Sequence, residues 1–202
     1  DYGDERRTII IDKQPEDIKI EELIENEKMV VVINKDGYAK RVNYSAYKTQ
    51  SRGGKGVFTS EEEEDISDFF IANTHDELLL LTEKGSYYKI NVLDIQSSTR
   101  QGKGVNIRKL INIDDDDVIT ASLINRSEDN KKKRYVTTCS RLGNIKRTNI
   151  SEYQTKRISG SSALKLEDND ILKWAIVTNG NNEFLLSTKK GFSVRFKESE
   201  IR

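Results

Sequence analysis

Four stretches decide the fold: VVVINKDGYAKRV at 30–42, LLLLTEKGSYYKI at 78–90, YVTTCSRLGNIKRT at 135–148 and FLLSTKKGFSVRF at 184–196. Each is a short apolar run, a turn that ends in glycine, and a second run mixing apolar with basic residues. The turn glycines are Gly37, Gly85, Gly143 and Gly191, spaced 48, 58 and 48 residues apart. A tight hairpin turn needs a positive φ, which glycine adopts at no steric cost, and Asp36-Gly37 is the strongest of the four signals. Short strands repeating every 40–50 residues point to propeller-like blades, so the class is all-β.

Working outward, an earlier strand precedes each of the last three hairpins. Residues 70–73 lead into a turn at 74–77, residues 118–124 into 125–134, and residues 174–178 into the NGNN turn at 179–182. These are expected to pair as hairpins, the second with an elongated loop. Its tip carries Lys131, Lys132, Lys133 and Arg134, which read equally well as an anion contact and as a solvated tip. A short helix is expected only over Glu16–Asn26, after the single proline, Pro15.

The composition excludes several chemistries. Among 202 residues there is one cysteine, Cys139, and one histidine, His75. An internal disulfide, a cysteine zinc cluster and a His-based triad therefore lack material. No signal peptide is visible, and the longest apolar run, Met29–Ile33, is far short of a membrane span, so a cytosolic location is the expectation. His75 is expected to be exposed, Cys139 to be a small core residue, and Trp174 to pack rather than stack on a base.

The 34 basic and 34 acidic residues cancel, but not locally. Residues 1–27 carry net −6, 28–60 net +6, 61–77 net −8, 78–113 net +4, 114–117 net −4 and 118–167 net +7. In a repeat fold such alternation can gather like charges on one face and offer a polyanion a basic surface. The bland alternative is a set of solvated loops. The acidic runs Glu61–Asp65 and Asp114–Asp117 read as solvated connectors that either keep a polyanion off the wrong face or shield a basic rim within the molecule.

A second element follows the first two hairpins in constant register: QSRGGKGV at 50–57 and STRQGKGV at 98–105, their last glycines each 19 residues beyond the turn glycine. The third copy, TKRISGSSALKL at 155–166, keeps basic residues and one glycine but not the GKG. Glycines let a backbone come close to phosphate, arginine pairs with it bidentately, and lysine adds a point charge. The P-loop pattern is absent, since Lys55 is followed by Gly56. A glycine-rich connector between blades remains the plainer reading of the motif alone.

The blade repeats together with Gln50, Ser51, Arg52, Gly53, Gly54, Lys55 and Gly56 resemble the C-terminal domain of DNA gyrase A, whose box reads QRRGGKG; Ser51 is the one departure. GDERRT at 3–8, IANTHDELL at 71–79 and VRFKESEIR at 194–202 also look like that family, so the resemblance covers nearly the whole chain. It implies a β-pinwheel of about four four-stranded blades with strands exchanged between neighbours, as an open or truncated array. Residues 1–12 would be the tail of a linker and 13–202 the pinwheel, with blade cores near 24–60, 66–113, 118–166 and 171–202. The implied function is non-catalytic: duplex DNA bends and wraps around a basic rim, presenting a segment for ATP-driven strand passage and negative supercoiling. Partners would be double-stranded DNA, the rest of gyrase A, and gyrase B in an A2B2 holoenzyme, with no membrane. The isolated domain would be monomeric and its setting the bacterial cytoplasm and nucleoid. No catalytic tyrosine, metal site or cofactor is expected in this chain, ATP and magnesium belonging to other parts of the holoenzyme. Beside the box, the DNA-binding candidates are Lys40, Arg41, Lys89, Arg100, Lys103, Lys146, Arg147, Arg195 and Lys197. The runner-up is the corresponding C-terminal domain of topoisomerase IV, which bends DNA with little wrapping; a propeller-like protein-interaction module is the reading from another class.

Overall fold

A computed structural model of the chain describes residues 23–47, 65–126, 133–154 and 157–201. Its strands are β1 (Lys28–Asn34), β2 (Tyr38–Asn43), β3 (Ile66–Asn73), β4 (Glu77–Thr82), β5 (Ser86–Asn91), β6 (Val105–Asn106), β7 (Ile119–Asn125), β8 (Tyr135–Ser140), β9 (Ile145–Asn149), β10 (Ser161–Ser162), β11 (Leu172–Thr178), β12 (Glu183–Ser187) and β13 (Ser193–Lys197). All four expected hairpins form: β1–β2, β4–β5, β8–β9 and β12–β13. Their turn glycines adopt φ between 78° and 90°.

The expected second set of hairpins does not form. The segment after each hairpin turns back onto the hairpin before it: β3 pairs with β1, β7 with β4 and β11 with β8. Asn73 lies opposite Lys28, whereas Glu77, four residues on, lies opposite Asn91 and Asn125. The turn at 74–76 therefore carries the chain from one sheet to the next, and β7 and β8 likewise belong to different sheets rather than to one long hairpin. The Asp76 carboxylate holds the first crossing by accepting the Asn73 N–H at 2.7 Å. His75 is half-buried there, with Nε2 2.9 Å from the Ile24 carbonyl oxygen, not free in solvent.

The sheets read β3-β1-β2-β6, β10-β5-β4-β7, β11-β8-β9 and β12-β13. The expected four strands are thus present in two sheets, with three and two in the others among the described residues. In the full sheets the fourth strand is donated by the following repeat, β6 to β2 and β10 to β5. A sheet consequently draws on more than one contiguous stretch of chain.

This stacking explains why the hairpin strands are apolar without alternation. A sheet covered on both faces needs apolar side chains at consecutive positions. Leu78 and Leu80 face Val31, Ile33 and Ala39 of the first sheet; Leu79 and Leu81 face Val136 and Leu172 of the third. All four leucines are 0–1% exposed. Each such burial contributes about 1.5–3 kcal/mol. Cys139 is buried as expected, and burial, with the Asp170 charge, pushes its thiol up. Trp174 departs from expectation: it is 59% exposed, on the face of β11 turned toward β12–β13. A groove of about 550 Å³ lies between them, lined by Leu142, Trp174, Phe192 and Val194.

Candidate nucleic-acid interface

The second and third sheets come closest where their returning strands, β7 and β11, meet. The returning strands therefore mark the inner side of the array, and the opposite edge, carrying β6 and β10, faces outward. The second and third of the recurring glycine loops lie on that outer edge, as far as they are described. Residues 98–105 run along β2: the Ser98 N–H donates to the Arg41 carbonyl at 2.9 Å, and Val105 pairs with Ala39. Gly104 crosses the first sheet at φ +81°, where a Cβ would press into the Ala39 carbonyl. In the third copy Gly160 crosses the second sheet at φ +72°, with a Cβ site 2.8 Å from the Tyr87 carbonyl oxygen. The glycine that the degenerate copy retains is the one that the crossing requires.

The candidate cations divide by environment. Gln50, Ser51, Arg52, Gly53, Gly54, Lys55 and Gly56 lie outside the described residues, as do Lys131, Lys132 and the expected linker tail. Lys103 is exposed, its ammonium 4.6 Å from the centre of the Tyr38 ring. Arg100 is half-buried near Tyr47; burial pushes the Tyr47 phenol up, and the Arg100 charge partly offsets this. Lys146 is exposed and donates to the Ala163 carbonyl at 3.0 Å. Arg147 lies over the Tyr135 ring at 4.7 Å. Lys197 is exposed at the end of β13.

Other candidates are engaged by the protein itself. Lys40 is 2% exposed, and its ammonium donates to the carbonyls of Arg100 at 2.8 Å and Gly102 at 2.6 Å. A buried ammonium so held is a structural tie, which corrects its expected place on the rim. The Arg41 Nε–H donates to the Ile95 carbonyl at 2.7 Å. Lys89 pairs with Glu77 at 2.8 Å, its side chain only 12% exposed. Arg195 pairs with Glu183 at the surface.

Arg41, Lys89, Arg147 and Arg195 share one register position, four residues past the turn glycine, and each has a diagonal cross-strand neighbour. That neighbour is Glu77 or Glu183 in the second and fourth sheets but Tyr135 in the third, so the cations of the array are unequally neutralised.

Sequence reading missed the aspartates that begin the returning strands. Asp117, expected to be solvated, is 2% exposed and accepts the Lys84 N–H at 3.1 Å and the Val118 N–H at 2.9 Å. Asp170 accepts from Leu142 and Ile171 in the same way. Burial alone would raise the Asp170 carboxyl, but hydrogen bonds from Ser140, Leu142, Asn144 and Ile171 hold it below the usual carboxylate range. The signal was available: Asp117-Val118 and Asp170-Ile171 stand at the same place, immediately before β7 and β11. Asp114 and Asp116 do not float free; both pair with Lys84. Among the described residues no cluster of His, Cys, Asp and Glu could hold a metal, and no helix is long and apolar enough to cross a membrane.

The DNA gyrase C-terminal domain, beta-propeller family matches residues 28–73, 76–125, 134–179 and 182–202. The first three segments each span a hairpin and its returning strand, and the fourth spans the last hairpin. The DNA gyrase A protein of Clostridium acetobutylicum is 35% identical over 203 residues, covering 100% of this chain and 24% of that protein. The chain thus spans about a quarter of the length of the curated relatives it matches. Among solved structures, the C-terminal domain of DNA topoisomerase IV superposes with TM-score 0.75 at 27% identity, over 89% of this chain and 54% of that one. The DNA gyrase A C-terminal domain superposes with TM-score 0.63 at 29% identity, over 87% and 56%. With the family matched across its four repeats and their sheets interleaved as in a pinwheel, this chain belongs to the DNA gyrase C-terminal domain, beta-propeller family.

Proposed function

We propose that the chain is the DNA-binding domain of a DNA gyrase A protein, bending and wrapping duplex DNA along the outer edge of its sheets. One observation carries this reading: the loop 98–105 clasps the outer edge of the first sheet while Lys103 stands exposed on it. The loop offers phosphate a cation and a backbone bare of side chains at Gly102 and Gly104, which suits sequence-independent contact. Arg52 and Lys55 of the first box are its counterparts by register. In the A2B2 holoenzyme, joined to the rest of gyrase A and to gyrase B, the domain hands a wrapped segment to ATP-driven strand passage. ATP and magnesium act in the other parts.

Bending a short duplex by about 90° costs on the order of 1–6 kcal/mol, so contacts from several sheets must share it. Fluorescence anisotropy with linear duplex DNA across a salt series tests the binding. If about six phosphates are contacted, the log–log slope is roughly −5. Arg100→Ala/Lys103→Ala should flatten it by about 1.8. Absence of binding at low salt would favour the protein-interaction module. The higher superposition score with the topoisomerase IV domain keeps that relative as the second reading; it predicts DNA bending with little change in linking number.

A further inference from the structure

We infer that Lys40 is a positioning residue for DNA binding: its buried ammonium moulds the 98–104 loop so that Arg100 and Lys103 meet the DNA backbone. The inference rests on the DNA-binding reading of that loop. Lys40 projects from the middle of β2 and is 2% exposed. An ammonium withdrawn from water is tolerated only when hydrogen-bonded. Two of its hydrogen bonds run to carbonyls, of Arg100 and Gly102, some sixty residues further along the chain. Carbonyls two residues apart, both aimed at one cation, bend the backbone between them into a cup. The ends of the cup are pinned by the Ser98 N–H on the Arg41 carbonyl and by Val105 opposite Ala39. With those oxygens turned inward, Gln101 and Lys103 stand exposed on the outside and Arg100 remains partly so. A Cβ at Gly102 would meet the Ser98 hydroxyl, so the loop packs closely on itself here.

A comparison within the chain supports this independently. The position three residues past the turn glycine is Lys40 in the first sheet and Tyr88 in the second. Each underlies the crossing glycine of the incoming loop: a Cβ on Gly104 would lie 2.8 Å from Lys40 Cβ, and one on Gly160 would lie 2.7 Å from Tyr88 Cε1. The loop that keeps Gly-Lys-Gly has a lysine beneath it. The loop that has lost this signature has a tyrosine, which cannot organise two carbonyls around a positive charge.

The test is a double-mutant cycle on the 202-residue chain, read as anisotropy of labelled linear duplex DNA across a salt series. Lys40→Met keeps the stem and removes the charge. Acting through the loop, it should weaken binding and flatten the salt slope nearly as much as Arg100→Ala/Lys103→Ala, by up to about 1.8. Added to that double variant, it should change nothing further. Hydrogen exchange at the Ser98 and Gly102 amides should accelerate in K40M, which loss of a phosphate ligand alone would not cause. An additive loss with its own slope change of about 0.9 would make Lys40 a direct phosphate contact and overturn the inference. So would unchanged binding. If K40M fails to fold, Gly104→Ala, whose Cβ would press into the Ala39 carbonyl, displaces the loop with the lysine intact, and additivity with R100A/K103A again refutes it. Absence of salt-dependent binding by the unaltered chain would instead remove the DNA-binding reading itself.

Discussion

The second sheet and the last hairpin begin from nearly the same sequence, LLLLTEKGSYYKI against FLLSTKKGFSVRF, and end in opposite environments. In the second sheet β4–β5 is flanked by the returning strand β7 and the donated strand β10, and Leu78 to Leu81 are at most 1% exposed. In the last hairpin Leu185 is 67% exposed, Phe192 71% and Val194 55%. The motif specifies a hairpin; neighbours specify a core. A blade here is not a self-sufficient unit, because two of its four strands arrive from later in the chain. Such arrays gain stability from contacts between repeats.

Four measurements break or sharpen that contrast. The largest effect belongs to truncation inside the stack. Leu80→Ala should cost about 2–5 kcal/mol in urea unfolding, and Leu185→Ala at most about 0.5 kcal/mol; equal costs would show the last hairpin to be as enclosed as the second.

The turn glycines come next. Gly85 and Gly191 share φ near +80°, so alanine costs about 1–2 kcal/mol at either from backbone strain. At Gly191 nothing lies within 4 Å of the new Cβ, whereas at Gly85 it would be 2.5 Å from the Leu164 carbonyl oxygen and 3.1 Å from Leu166 Cδ1. Gly85→Ala should therefore be clearly the more destabilising in the same unfolding assay.

The third concerns what ties the last hairpin to the array. Glu198 is fully buried and receives Thr178 Oγ1 at 2.5 Å, the Asn182 side-chain amide at 2.9 Å and the Gly180 and Asn182 N–H groups. Burial would raise its carboxyl, but these bonds outweigh it and hold it below the ordinary glutamate value. A depressed folded-state value contributes stability that is complete above the unfolded value, near 4.5, and is lost as pH falls through the folded one. Hydrogen exchange in β12 and β13, referenced to a peptide of the same sequence, should show protection falling on acidification below about pH 4.5, and falling less in Glu198→Gln. Constant protection would contradict the tie. The smallest effect is Asp116→Asn, whose exposed, solvent-screened pair with Lys84 should leave the urea unfolding midpoint essentially unchanged.

The hairpins are legible in the sequence because glycine at a fixed register has one physical use there. The strand partners are not. Residues 70–73 and 77–82 carry strand propensity and sit either side of a tight turn, which locally favours a hairpin. What prevails is burial of both faces, which sends β3 back to β1. Lys40 escapes sequence reading for a related reason. Alternation along a strand marks which side a residue faces, but the carbonyls that draw its ammonium inward come from some sixty residues away. Asp117 sits in a run of four aspartates that looks uniformly solvated, and only its place before an apolar strand distinguishes it. The recurring chemistry of the glycine loops, by contrast, is visible in register, although the crossing role of Gly104 and Gly160 needs the backbone.

The central claim is that the outer edge of these stacked sheets wraps DNA. The direct measurement is to seal nicked plasmid with ligase over increasing amounts of the chain and read the linking-number distribution on a gel. A positive shift that shrinks in Arg52→Ala/Lys55→Ala and in Arg100→Ala/Lys103→Ala is the predicted result. Plasmid that is bound yet returns an unshifted distribution would contradict it.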